Sequence, residues 1–88
     1  PRKIFHAIEA VLLLSYRMTA DPVSGKELCE KLNLPPRYLE AMMQQLVRVG
    51  ILRGVRGPSG GYILARSPER VSLTDICLAL REDEELPE

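Results

Sequence analysis

Near the N-terminus the apolar positions recur at helical spacing. Ile4, Ile8, Val11 and Tyr16 share one face, and Phe5, Leu12 and Leu13 widen it. The pattern predicts a helix from Lys3 to about Met18, apolar over so much of its circumference that it needs burial on more than one side. One side suits the core of the domain. The other suits a partner subunit or a further helix, and a deep position in a compact monomer would serve equally.

The next apolar positions come in short, interrupted groups. In TADPVSGKELCEKLNL, turn residues lead into Ser24 with Glu27 three places on, a capping-box spacing that starts a helix over about 25–32 with Leu28, Cys29 and Leu32 facing inward. Asn33 and Leu34 break it. Pro35 and Pro36 suit the first turn of a third helix, because a proline there gives up an N–H that has no intrahelical partner, and Gly50 ends that helix after Val49. Leu39, Met42, Met43, Leu46 and Val49 form its core stripe. Arg37, Glu40, Ala41, Gln44, Gln45 and Arg48 form its outer one.

From Gly50 onward the period changes. Ile51 to Arg56 and Gly61 to Arg66 are short β-prone runs around a glycine and proline tip, which predicts a hairpin. Ser72 and Asp75 then cap a last helix to about Arg81 with Leu73, Ile76, Cys77 and Leu80 as its apolar stripe. Two helices joined by a tight break and followed at once by a hairpin make a winged helix-turn-helix, so the fold class is mainly α with a small β-hairpin. Residues 1–82 read as this one domain, and 83–88 as an acidic tail or linker.

Composition adds that 88 residues with 45% apolar content can bury a real but small core. The apolar runs, such as AVLLL at 10–14, fall far short of the ~20 residues a membrane span requires, and no signal peptide is evident. The expectation is a cytoplasmic protein with no membrane contact. Cys29 and Cys77 have no Cys or His partner at ligand spacing and read as reduced thiols in apolar surroundings, and His6 reads as an ordinary helix residue. No metal or cofactor is assigned to them. An enzyme is excluded on similar grounds: there is one histidine, no phosphate loop leading into a helix, and GPSGG lies between two strands.

Charge changes the picture more. The net charge is zero, but residues 1–70 hold 11 Lys or Arg against 6 acids while residues 71–88 hold 1 against 6. Between 37 and 66 there are five arginines and one acid, Glu40. A polyanion would recognise that balance, and a plain solvated basic face would also show it. The outer stripe of the third helix contains the side-chain types that read base edges and hold phosphates. The segment RGVRGPSGGYILAR adds a narrow glycine loop able to approach a sugar-phosphate backbone, with Arg56 at its base suited to a minor groove. Double-stranded DNA is the favoured partner. The alternative is a winged helix used as a protein-protein interaction module, which would call for a nonbasic wing.

The runs PPRYLEAMMQQLVRVGIL, RGVRGPSGGYILAR and VSLTDICLAL, and above all Arg56 to Tyr62 as R-G-P-x-G-G-Y, resemble the Rrf2 family of bacterial winged-helix transcription regulators, the group of IscR, NsrR and CymR type repressors. The resemblance implies a homodimer on a partly palindromic operator, with the third helix in the major groove and the wing in the neighbouring minor groove. It places Tyr38, Leu39 and Glu40 at the DNA, with Glu40 accepting from cytosine N4, Arg37 and Tyr38 on phosphates and Arg56 as the wing arginine. The DNA-binding set is then Arg37, Tyr38, Glu40, Ala41, Gln44 and Arg48 on the helix, with Arg56, Gly57, Pro58, Ser59, Gly60, Gly61 and Tyr62 on the wing. Relatives that hold an iron-sulfur cluster use three cysteines beyond the fourth helix, and neither Cys29 nor Cys77 corresponds to one.

Overall fold

The computed structural model describes residues 2–17 and 19–81. Four helices and one hairpin follow in the order α1 (Arg2–Ser15), α2 (Gly25–Leu32), α3 (Pro36–Arg48), β1 (Leu52–Val55), β2 (Gly61–Leu64) and α4 (Leu73–Arg81), with a single 3₁₀ turn at Pro68–Arg70. The expected tail at 83–88 lies outside the described residues.

The helix α1 stops three residues short of the expected end, and its buried face is Ala7, Ala10, Val11 and Leu14. Ile4, Ile8 and Leu13 pack at the margin instead, and Tyr16, just past the helix end, is 77% exposed. The alanines win the central positions because α1 lies against α2, α3 and α4 together, and small side chains let helix backbones approach. Phe5 and Leu12 remain exposed on the outside of α1.

Ser24 caps α2 as expected, its Oγ accepting from the Glu27 N–H at 3.1 Å. Glu27 does not complete the box. Its carboxylate takes Arg17 at 3.0 Å and so ties the end of α1 to the start of α2. Asn33, in the left-handed conformation at φ 57°, ends α2 and lets the chain turn within Asn33, Leu34 and Pro35 into α3. At the far end of α3, Gly50 at φ 84° donates to the Val47 carbonyl and Ile51 donates to the Leu46 carbonyl. This is a complete Schellman motif, and the buried Ile51 that closes it leads directly into β1.

The hairpin pairs Leu52 with Leu64 and Val55 with Gly61 in antiparallel register. Strand β2 is held to the body at the end of the hairpin nearest the loop. Val23, in the connection before α2, exchanges both backbone hydrogen bonds with Tyr62 at 3.1 and 2.9 Å. A Cβ on Gly61 would overlap the Val23 carbonyl, so this approach requires glycine.

The core gathers Leu28 from α2, Leu39, Met42, Met43 and Leu46 from α3, Leu52 from β1 and Ile76, Ala79 and Leu80 from α4 around the α1 face. On α4, Leu73 is 60% exposed and Cys77 half-buried, so the stripe expected there narrows to Ile76 and Leu80 with Ala79 added. Gln45 is the larger correction. Expected on the outer stripe, it is 1% exposed, and its Nε2 reaches the Leu80 carbonyl at 3.5 Å near the end of α4. Packing of α4 across this part of α3 buries a position that spacing alone leaves at the stripe's edge.

Candidate nucleic-acid interface

The outer face of α3 follows from where its core residues sit. With Leu39, Met42, Met43 and Leu46 buried, Arg37, Glu40, Ala41, Gln44 and Arg48 are all exposed. Leu39 of the Tyr38–Glu40 segment packs inward and serves the core.

The wing meets this face across an open groove of about 840 Å³. Glu40 and Gln44 line one wall. Arg56 and Tyr62 line the other, together with Gly57, Gly60 and Gly61. The structure therefore brings these seven expected residues together around one concavity. Arg37, Ala41 and Arg48 flank it on α3, and Pro58 and Ser59 stand exposed at the wing tip. The tip is a tight turn in which the Gly60 N–H donates to the Gly57 carbonyl at 2.9 Å. A Cβ on Gly60 would overlap the Val55 carbonyl, so the glycine pair that suggested a loop shaped for DNA also has an internal reason.

Tyr38 is not a free surface group. Its hydroxyl is 2.8 Å from His6 Nδ1, and the two rings meet edge to face at 5.4 Å and 89°. Desolvation at this half-buried site pushes the phenol above its ordinary 10.0, against the opposing charge of Arg2. Sequence reasoning missed this pairing, since nothing in the spacing of α1 says that His6 meets the start of α3.

Two further groove residues were also missed. Lys26 and Glu30 of α2 line it beside Cys29, with Lys26 in the first turn of the helix. A helix that starts at a capped serine and carries a lysine in its first turn offers N–H groups and a cation to a phosphate, and that signal was present in SGKE.

Arg66, counted in the basic balance of the chain, is diverted inward. Its guanidinium donates to the carbonyls of Gly50 at 3.2 Å and Val49 at 3.3 Å and to Asp75 Oδ2 at 3.0 Å. It closes the end of α3 rather than facing a ligand.

A family described as Iron-dependent Transcriptional regulator, Rrf2, matches residues 2–88. The chain belongs to the Rrf2 family. Its fold is the winged helix of that family, as two solved structures show. IscR of T. potens superposes with a TM-score of 0.84 at 32% identity, over 100% of this chain and 64% of that one. CymR, the global cysteine regulator of B. subtilis, gives 0.85 at 28% identity over 97% of this chain and 73% of its own. A Synechocystis sp. protein that carries the name of an HTH-type transcriptional regulator is 39% identical over 80 residues, covering 91% of this chain and 54% of the relative. This Rrf2 chain spans about half the length of the curated relatives it matches. The family and these relatives are named as transcriptional regulators, not enzymes.

Among the described residues no group of three or more His, Cys, Asp or Glu side chains is placed to hold a metal ion. Cys29 and Cys77 are free thiols on different helices. Among the described residues no helix is long and apolar enough to cross a membrane.

Proposed function

We propose that this chain is the operator-binding part of a transcription repressor, acting as a homodimer on double-stranded DNA. Helix α3 enters the major groove, where Glu40, Gln44 and Ala41 meet base edges and Arg37, Tyr38 and Arg48 meet phosphates. The wing, Arg56 to Tyr62, enters the adjacent minor groove, with Arg56 inserted and Pro58 and Ser59 at the tip.

The observation that carries this reading is the shared groove, which sets Glu40 and Gln44 of α3 opposite Arg56 of the wing. A helix and a ribbon held side by side match the successive grooves of B-DNA. The outer face of α1, with Phe5 and Leu12 exposed, supports a second subunit. The reading assigns no cofactor to Cys29 or Cys77.

Selection of bound genomic fragments by the purified protein, followed by titration of the best site at two salt concentrations, tests it. Enrichment of a dyad-symmetric sequence with steep salt dependence is the expected result. No enrichment, or a flat salt profile, overturns it in favour of a wing that contacts protein.

A further inference from the structure

We propose that His6 is a positioning residue for DNA binding, whose proton decides whether the Tyr38 hydroxyl hydrogen is available to an operator phosphate. This inference rests on the DNA reading above.

A phenol has one hydrogen to donate, whereas a phosphate only accepts. The 2.8 Å contact joins the Tyr38 oxygen to His6 Nδ1, so one of these two atoms supplies the hydrogen between them. If Nδ1 is bare, Tyr38 donates into the ring, and the phosphate meets only oxygen lone pairs. Once His6 is protonated, both ring nitrogens carry hydrogen and the bond reverses. Nδ1 then donates to the phenol oxygen, and the O–H hydrogen is released to point outward. Where the ring answers by taking up a proton, rather than by moving its hydrogen from Nε2 to Nδ1, DNA binding and protonation of His6 are linked one to one.

The two rings sit edge to face, with the phenol oxygen 2.8 Å from Nδ1. Among the described residues, the charged groups on the elements around the pair are the following. Arg2, which also acts on Tyr38, and Lys3 and Glu9 lie within about one turn of His6 on α1, and Arg37 precedes Tyr38 on α3, which also carries Glu40 and Arg48. Of the other elements packed on α1, β2 carries no charge. Helix α2 carries Lys26, Glu27, Glu30 and Lys31, with Glu27 held by Arg17, while α4 carries Asp75, held by Arg66, and Arg81. The carboxylates engaged by Arg17 and Arg66 are thereby committed elsewhere.

The test measures operator affinity between about pH 5.5 and 8 for the wild-type protein, His6→Gln and Tyr38→Phe, with circular dichroism confirming that each is folded. Wild-type affinity is expected to strengthen as pH falls, by up to about tenfold per unit in the steepest part, the limit for uptake of one proton. Both variants should give flat profiles. Three results overturn the role of His6. One is a flat wild-type profile, as tautomer exchange without proton uptake would produce. Another is an unchanged slope in His6→Gln, which would point to a different titrating group. The last is an unchanged slope in Tyr38→Phe, which would leave the imidazolium charge acting alone. Failure of the wild-type protein to bind any operator at any pH would instead strike the DNA reading itself.

Discussion

Arg66 reaches from just past β2 to the first turn of α4, where its Nη1 donates to Asp75 Oδ2 at 3.0 Å. The same guanidinium holds the Val49 and Gly50 carbonyls beyond the end of α3. One side chain thus joins the third helix, the exit of the wing and the fourth helix. Arg66→Ala removes these bonds together. The expected loss is about 1–2 kcal/mol, given that the group is partly exposed, which lowers Tm by roughly 4–16 °C in a domain of this size. Arg66→Lys should recover only part of it, since an ammonium cannot present the same fork. Thermal unfolding followed by circular dichroism checks both.

Asp75 adds a pH dependence. The Ser72 backbone N–H, above all, holds its carboxyl below the ordinary 3.8, aided by the Ser72 side chain and Arg66, while desolvation works the other way. Lowering the folded value means that the ionised form stabilises the fold above the unfolded pKa, and that this contribution is lost as pH falls through the folded one. Asp75→Asn should therefore melt below the wild-type protein at pH 7. The gap should close as the pH is taken from about 5 to 2.

Much of the fold was legible because its signals are local. Ser24, Asn33, Pro36 and Gly50 marked the ends of α2 and α3, and the structure places α2 at Gly25–Leu32 and α3 at Pro36–Arg48. What spacing could not show is which neighbour covers each face. Gln45 looks like an outer residue until α4 lies over it, Ile8 looks more central than Ala10, and Arg66 looks like a DNA cation until α4 brings Asp75 to it. For the site, the exposure of Glu40, Gln44 and Arg56 follows from periodicity and turn chemistry. The His6–Tyr38 contact, made across 32 positions, does not.

Gln45 offers a direct test of that buried polar position. Among the described residues its Oε1 has no hydrogen-bond partner, and its Nε2 bond to Leu80 is long at 3.5 Å. Gln45→Met, similar in volume, should change stability by less than about 1.5 kcal/mol and could raise it. Gln45→Ala opens a cavity and should cost about 2 kcal/mol or more. Urea unfolding of the three proteins separates the cases.

Gly61→Ala forces a Cβ into the Val23 carbonyl and should break the Val23–Tyr62 bridge beside the wing loop, at a cost of about 1–3 kcal/mol. Gly54→Ala on the paired strand meets nothing within 4 Å and should stay within about 0.5 kcal/mol of the parent. Hydrogen exchange at the Val23 and Tyr62 amides reports the bridge directly.

At the proposed interface, Glu40→Ala should relax base preference by about 1–3 kcal/mol while leaving nonspecific affinity intact or stronger. An equal loss on all sequences would contradict the assignment. Arg56→Ala should weaken operator binding, and if its guanidinium faces a phosphate the salt slope should fall by about 1. Both are read from competition titrations against scrambled DNA.

The Schellman turn at Gly50 fastens the root of the hairpin to α3 and the Val23–Tyr62 bridge holds β2 near the loop, whereas Pro58 and Ser59 in the Gly57–Gly60 turn stand exposed. The molecule is accordingly a fixed handle with an interchangeable bit. Residues grafted or inserted between Gly57 and Gly60 would alter what the tip meets without disturbing its alignment to α3, so new sequence preferences could be built there one loop at a time.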